Sequence, residues 1–312
     1  MSSGRMKLRI GTRGSHLART QSTTVAAALQ ALGHETELVI IHTSGDRSTA
    51  PSFGSIGPQG VFVREIEQAL LDGAVDVAVH SYKDLPTASP RELTIAAVPE
   101  RLDAADVLVM RDLTTTGGDG ALPIREEAHV GTSSARRQSW LRHLRPDLIV
   151  EPLRGNVPTR IRRLDEGLDA IVLAAAGIDR LKHTAIEDAP DLVLADRVLA
   201  RLDPDVFVPP PAQGALAIQC RAADGEIREA LTALDHAATR RCVDAERALL
   251  ARVEGGCDVA FGAHCARAAG AGNAALSLTA MLERDGEILR TQASGSDTDA
   301  LVAQAWEALR RE

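Results

Sequence analysis

Aromatic residues are scarce in this chain of 312: one tyrosine, two tryptophans and four phenylalanines, 2% of the sequence. So few rings offer little platform on which nucleic-acid bases could stack. Lysine is scarcer still, since Lys7, Lys83 and Lys182 are the only lysines among 35 basic side chains. Those 35 face 43 acidic side chains for a net charge of −8, and an acidic balance does not supply the broad basic face that neutralises backbone phosphates. The four cysteines, Cys220, Cys242, Cys257 and Cys265, come late and match no zinc spacing, a pattern of free thiols rather than of a disulfide scaffold. No run approaches the ~18 consecutive apolar residues of a membrane span, and the opening MSSGRMKLRI has no signal-peptide core. The expectation is a cytoplasmic protein with no nucleic-acid and no membrane partner.

What is present is ordinary globular material, 45% hydrophobic and 25% charged, in a length that suits two or three domains. Apolar periodicity predicts a strand over 6–12, a helix over 15–32 opened by the Ser15 hydroxyl, a strand over 37–41, a helix over 60–71 and a short strand over 75–79. A second alternating set starts near Asp106 and ends near Asp203, before Pro209-Pro210-Pro211. Strand–helix–strand units of this length imply mostly parallel sheets clothed by helices, and two such sets suggest two lobes with a ligand cleft between them. After Arg221 the pattern changes to helices over 224–234 and 236–253, then a hairpin with alternating Leu276, Leu278, Ala280 and Leu282 and an Asp285-Gly286 turn. A last helix carries Leu301, Val302, Trp306 and Leu309 on one stripe, which completes a small α+β domain. Residues 43–60, rich in Gly, Ser and Pro, read either as a mobile lid or as a plain surface loop.

The arginines fall at predicted strand ends. Arg13 follows the first strand, Arg136 and Arg137 follow the one ending at Gly131-Thr132, and Arg154 and Arg160 bracket the turn LRGNVPTR. Strand C-termini and adjoining helix N-termini face the ligand crevice of open α/β sheets, so these guanidinium groups, with Ser15, Thr132, Ser133 and Ser134, would form a polyanion site. No phosphate-loop or dinucleotide glycine motif is present, which favours a multiply carboxylated small molecule as the anion. The turn His80-Ser81-Tyr82-Lys83-Asp84-Leu85-Pro86 sets a lysine beside a carboxylate at the end of an apolar strand. Among arginines Asp84 is expected to stay ionised, its pKa lowered by positive charge, and so to stabilise a cation or shuttle a proton at a nitrogen. A turn held by a local aspartate hydrogen bond is the plainer alternative. Glu254-Gly255-Gly256-Cys257-Asp258 reads as an accessible thiol on pliant backbone, either a nucleophile or attachment point or an ordinary loop cysteine.

Seven segments together resemble the porphobilinogen deaminase, or hydroxymethylbilane synthase, family in the family's order: IGTRGSHLA at 10–18, GVFVREIEQALLDGAVDVAVHSYKDLP at 60–86, VGTSSARRQ at 130–138, LRGNVPTR at 153–160, DAIVLAAAGI at 169–178, AQGALAIQCR at 212–221 and AERALLARVEGGCDV at 245–259. The resemblance implies an α/β fold of two periplasmic-binding-protein-like lobes with mixed sheets, residues 1–103 with 204–221 and residues 104–203, plus a C-terminal α+β domain over 222–312. It implies a transferase of tetrapyrrole and heme biosynthesis. Such an enzyme condenses four porphobilinogen molecules into the linear tetrapyrrole hydroxymethylbilane, releases ammonia at each step, and primes on a dipyrromethane cofactor.

On this resemblance Cys257 carries the dipyrromethane through a thioether, Asp84 is catalytic, and Lys83, Ser134, Arg136 and Arg137 bind the cofactor. Arg13, Ser15, Thr132, Arg154 and Arg160 would bind substrate carboxylates, no metal is needed, and a monomer is expected. Ser55, Pro58 and Gln59 stand where the family commonly carries loop lysines. The competing reading is a non-catalytic cytosolic carboxylate-binding protein with a two-lobe cleft, which has no use for Asp84 or Cys257.

Overall fold

The computed structural model describes residues 5–41, 58–117, 120–182, 194, 196–253, 259–268 and 275–310. The chain forms two compact units, the first holding the N-terminal segment up to Leu102 and Ala215–Arg241, the second Asp103–Lys182, the segment ending at Gly214, and Cys242 onward.

In the first unit, β1 (Lys7–Arg13), β2 (Glu35–Ile41) and β3 (Val77–Ser81) run parallel, with β1 in the middle. The strand β4 (Leu93–Ala97) lies at the far edge, separated from β3 by β10 (Leu216–Arg221), which is antiparallel to both. Helix α1 (His16–Ala31) covers one face, burying Val25 and Leu29 against Leu8, Ile10, Val77, Val79 and Ile218. As expected from sequence, Ser15 caps it, its hydroxyl accepting from the Ala18 N–H at 3.3 Å. Helix α2 (Pro58–Leu71) covers the other face through Ile66 and Leu70, which meet Val75, Ala78 and Leu93. The third strand sits two residues later than the sequence pattern suggests. Asp76 ends the preceding turn instead, its carboxylate accepting from the Arg9 backbone N–H at 2.9 Å and from the Arg9 guanidinium at 2.7 Å and 3.0 Å.

The second unit repeats the plan. The strands β6 (His129–Gly131), β7 (Ile149–Glu151) and β8 (Ala170–Ala174) are parallel with β6 central, and β5 (Asp106–Met110) pairs antiparallel with β8 and with the edge strand β9 (Val198–Arg201). Helices α3 (Ala135–Leu144), α4 (Val157–Arg162) and α5 (Ala175–Lys182) cover the sheet. Trp140 and Phe207 fill one side with Leu108 and Val172; Ile161 and Ile178 fill the other with Val107 and Ile171. Both sheets are therefore mixed, three parallel strands in the order 2-1-3 followed by an antiparallel strand and an outer one. That is the plan of two lobes with mixed sheets that the resemblance implies.

Helix α6 (Gly225–Thr232) buries Leu231 in the first sheet's core, although the sequence pattern groups it with the C-terminal domain. Phe207 and Val208, which the resemblance groups with the first lobe, lie in the core of the second. The C-terminal meander β11 (Phe261–Arg267), β12 (Leu276–Arg284) and β13 (Glu287–Gly295) is antiparallel throughout, and Asp285 and Gly286 make its two-residue turn with φ of 52° and 86°. Helices α7 (Ala237–Arg252) and α8 (Thr298–Leu309) pack Leu249, Leu301, Val302 and Leu309 onto Leu278 and Ala280. No helix among the described residues is long and apolar enough to cross a membrane.

Candidate active site

The strand β3 gives way directly to a 3-10 turn, Tyr82–Asp84. Pairing with β10 continues past the strand end, since the Tyr82 N–H donates to the Ala215 carbonyl at 3.1 Å, and the Leu85 N–H closes the turn on the Tyr82 carbonyl at 3.2 Å. Tyr82 and Leu85 are buried, which anchors the turn on either side of Lys83 and Asp84. Burial raises the pKa of Asp84 above the ordinary aspartate value, and the positive charges of Lys83 and Arg13 pull the other way without overcoming it. The sequence reading expects the opposite direction. It weighs the neighbouring cations and cannot see that the fold leaves this carboxyl only partly open to water, and that desolvation is the larger effect. A carboxyl in this state accepts a proton more readily than a surface aspartate, which suits proton transfer. Arg13 is the last residue of β1, the strand that lies beside β3, and Ser15 is committed to the cap of α1.

In the second unit Ser134 caps α3, accepting from the Arg137 N–H at 3.4 Å, and the Thr132 hydroxyl accepts from the Ser134 N–H at 3.3 Å. This places Arg136 and Arg137 in the first turn with both side chains buried. Their guanidinium groups share one carboxylate: Arg136 Nη2 donates to Asp106 Oδ2 at 2.6 Å and Arg137 Nη2 to Oδ1 at 2.7 Å. Remaining donors reach main-chain carbonyls, Arg136 Nη1 that of Val208 at 2.8 Å and Arg137 Nη1 that of Val172 at 2.9 Å. Gln213 also donates to Asp106 Oδ1 at 2.9 Å, and the Phe207 ring lies 5.7 Å from Arg136 Cζ. Burial alone would raise the Asp106 pKa, but the two guanidinium groups together outweigh it and hold the carboxyl far below the usual range. Asp106 entered the sequence reading only as the start of a strand. A partial signal for more was available: an acidic residue continuous with a fully apolar strand is a candidate for burial, and a buried carboxylate needs a cation.

Arg137 Nε is buried with no hydrogen-bond partner among the described residues. Arg160 on α4 lies within reach of its charge, and burial together with Arg137 lowers the Arg160 pKa. The turn before α4 requires Gly155, whose φ is +111° and whose added Cβ would come within 2.8 Å of Thr159 Cγ2. Arg160 Nε donates to the Gly155 carbonyl at 2.7 Å, and Arg154 is exposed. Sequence reading missed Arg180 on α5. Its Nη2 donates to the Gly214 carbonyl at 2.8 Å, burial pulls its pKa down to about 10, and no carboxylate partner is found among the described residues. Cys257 and most of the 43–60 segment lie outside the described residues. The other three cysteines are buried, and burial pushes the Cys220 thiol up to about 11.

These features describe an α/β protein with desolvated arginines in one unit and, in the other, a carboxyl of raised pKa at a strand end. The comparisons narrow the class. A family model described as "Porphobilinogen deaminase, dipyromethane cofactor binding domain" matches residues 8–229, and one described as "Porphobilinogen deaminase, C-terminal domain" matches 240–307. The porphobilinogen deaminase of Syntrophobacter fumaroxidans is 44% identical over 298 residues, 94% of this chain and 90% of that protein. That of Mycobacterium marinum is 50% identical over 257 residues, 82% of this chain and 76% of that one. An ancestral cationic amino acid solute binding protein aligns over 73% of this chain and 87% of its own with a TM-score of 0.41 at 14% identity. The chain belongs to the porphobilinogen deaminase family, and its matched N-terminal region is the dipyrromethane cofactor-binding domain of that family. The donor set fits such a group. A dipyrromethane is a polycarboxylate, and the same unit holds Arg160 and Arg180, desolvated cations without carboxylate partners among the described residues, and an Arg136–Arg137 pair that shares a single anion.

Proposed function

We propose that this chain is a hydroxymethylbilane synthase, a transferase that joins four porphobilinogen molecules head to tail. In each step the aminomethyl C–N bond breaks, ammonia leaves, a C–C bond forms to the free pyrrole carbon of the growing chain, and that carbon loses its proton. The observation that carries the reading is the Asp84 carboxyl, desolvated at the end of β3 with Lys83 and Arg13 acting on it. As ammonia departs, positive charge spreads onto the pyrrole ring, and the Asp84 carboxylate stabilises it at the ring N–H and carries protons there. Cys257 would hold the dipyrromethane as a thioether, and the bound group would supply the free pyrrole position from which the chain grows. Lys83, Ser134, Arg136 and Arg137 bind its carboxylates, directly or through the charge they set. Arg13, Ser15, Thr132, Arg154 and Arg160 orient the acetate and propionate groups of the incoming substrate.

The functional division that goes with this reading is residues 1–103 with 204–221, residues 104–203, and residues 222–312, in a cytoplasmic monomer. Intact mass and turnover test the proposal together. Purified protein, or protein reconstituted with porphobilinogen, exceeds the sequence mass by two pyrrole units, loses the excess in Cys257→Ser, and converts porphobilinogen to a linear tetrapyrrole. Binding of porphobilinogen without turnover by mass-shifted protein would favour a carboxylate receptor instead.

A further inference from the structure

We infer that Gln219 is a positioning residue for the catalytic turn, the middle link of a buried relay running from Glu67 on α2 through Gln219 on β10 to His80 on β3. In the β3–β10 ladder His80 lies opposite Ala217 and Gln219 opposite Ala78, which makes His80 and Gln219 diagonal neighbours on one sheet face. That face is the one α2 covers, with Ala78 packed against Ile66 and Leu70. Gln219 is wholly buried, His80 and Glu67 nearly so. Gln219 Nε2 donates to Glu67 Oε1 at 3.0 Å, which turns its Oε1 to His80 Nε2 at 3.1 Å. An amide oxygen only accepts, so His80 carries its proton on Nε2 and donates. Burial lowers the His80 pKa to about 4, so the ring is neutral at physiological pH.

On the opposite face Gln21 of α1 donates to Ser81 Oγ at 2.7 Å. The last two residues of β3 are thus each gripped by a glutamine, one from either side of the sheet, immediately before the Tyr82–Asp84 turn. A core needs no such groups here. Apolar side chains fill the neighbouring positions Val77 and Val79, and buried polar atoms cost free energy unless every bond is made. What the relay adds is a fixed azimuth and register at the strand end, the precision that a reacting carboxylate requires.

The inference rests on Asp84 being the catalytic group, and the experiment separates the two. Full-length, cofactor-bearing protein is compared as wild type, Gln219→Met, Gln219→Glu, and Glu67→Gln with Gln219→Glu. The Met variant keeps the volume and loses both bonds; its kcat is expected to fall about 10-fold or more while KM for porphobilinogen, cofactor mass and Tm stay close to wild type. Gln219→Glu sets two carboxyls against each other and is expected to lose kcat as well. The double swap rebuilds both hydrogen bonds with donor and acceptor exchanged at the α2 end, and is expected to recover most of that loss. The inference is overturned by a Met variant with wild-type kcat, by a fall in kcat that only tracks loss of cofactor and Tm, or by a swap that restores Tm but not kcat. A wild-type protein with no turnover sinks the Asp84 reading itself.

Discussion

Arg136 and Asp106 form an ion pair at 2.6 Å from which water is almost wholly excluded, the two side chains being 5% and 0% exposed. Arg137 takes the second carboxylate oxygen at 2.7 Å, so two cations divide one anion in the interior of the second unit. Among the described residues the cluster holds its excess positive charge with carbonyl dipoles and one aromatic face rather than with a second acid.

Asp106→Asn is expected to cost about 3–5 kcal/mol of stability at pH 7, because it leaves two buried guanidinium groups without a counter-charge. Asp106 has a depressed folded pKa, so its contribution is complete above its unfolded value near ~3.9 and is lost as pH falls through the folded value. Urea unfolding of the two proteins is expected to show a gap that is constant from about pH 8 to 5 and narrows only in stronger acid. A loss under ~1 kcal/mol at pH 7 contradicts the account.

Asp84→Asn is expected to behave in the reverse way. Its folded pKa is raised, so the ionised carboxylate weakens the fold above the unfolded value, and the amide variant melts at the same temperature or higher at pH 7. Turnover falls by about 10²-fold or more, the usual span for a lost proton-transfer group. On the proposed role the carboxylate form is the working one, so wild-type kcat is expected to decline, as pH falls, at a higher pH than an ordinary aspartate would dictate. A variant that turns over normally removes Asp84 from the mechanism.

Arg180→Gln is expected to leave stability unchanged or improved, since burial already works against this cation and no acid offsets it among the described residues. Its cost appears in ligand binding. KM for porphobilinogen rises about 10-fold or more, the worth of one charge-assisted hydrogen bond, and Lys at this position recovers only part of it. Steady-state kinetics alongside thermal melts check both halves, and an unchanged KM contradicts the ligand role.

Thiol titration gives an independent count. Cys220, Cys242 and Cys265 are buried and are expected to be silent toward a thiol reagent in the folded protein. In denaturant those three react, and a reading of three rather than the four cysteines of the sequence marks Cys257 as already bonded.

Much of the architecture was legible because its signals are local. The Ser15 cap, the alternation in β12 and the Asp285-Gly286 turn each act within a few residues of themselves. The candidate site was legible only as a set of residue types at strand ends. Its electrostatics were not, because they depend on residues far apart in the chain: Asp106 with Arg136 and Arg137, or Glu67 with Gln219. Sequence also counts charges near Asp84 without measuring how far the turn removes it from water. For that reason the direction of its pKa came out reversed.

The antiparallel strand in the first sheet comes from the far end of the lobe pair, and this imposes an order on synthesis. When β4 leaves the ribosome, the place between β3 and β4 has no strand to fill it. The partner β10 follows roughly 120 residues later, about 6–24 s at ~5–20 residues per second. During that interval the nascent chain exposes two open strand edges, one of them bearing the Asp84 turn. The Asp84 carboxyl is therefore among the last features of the first sheet to reach its final surroundings, however early its codon is read.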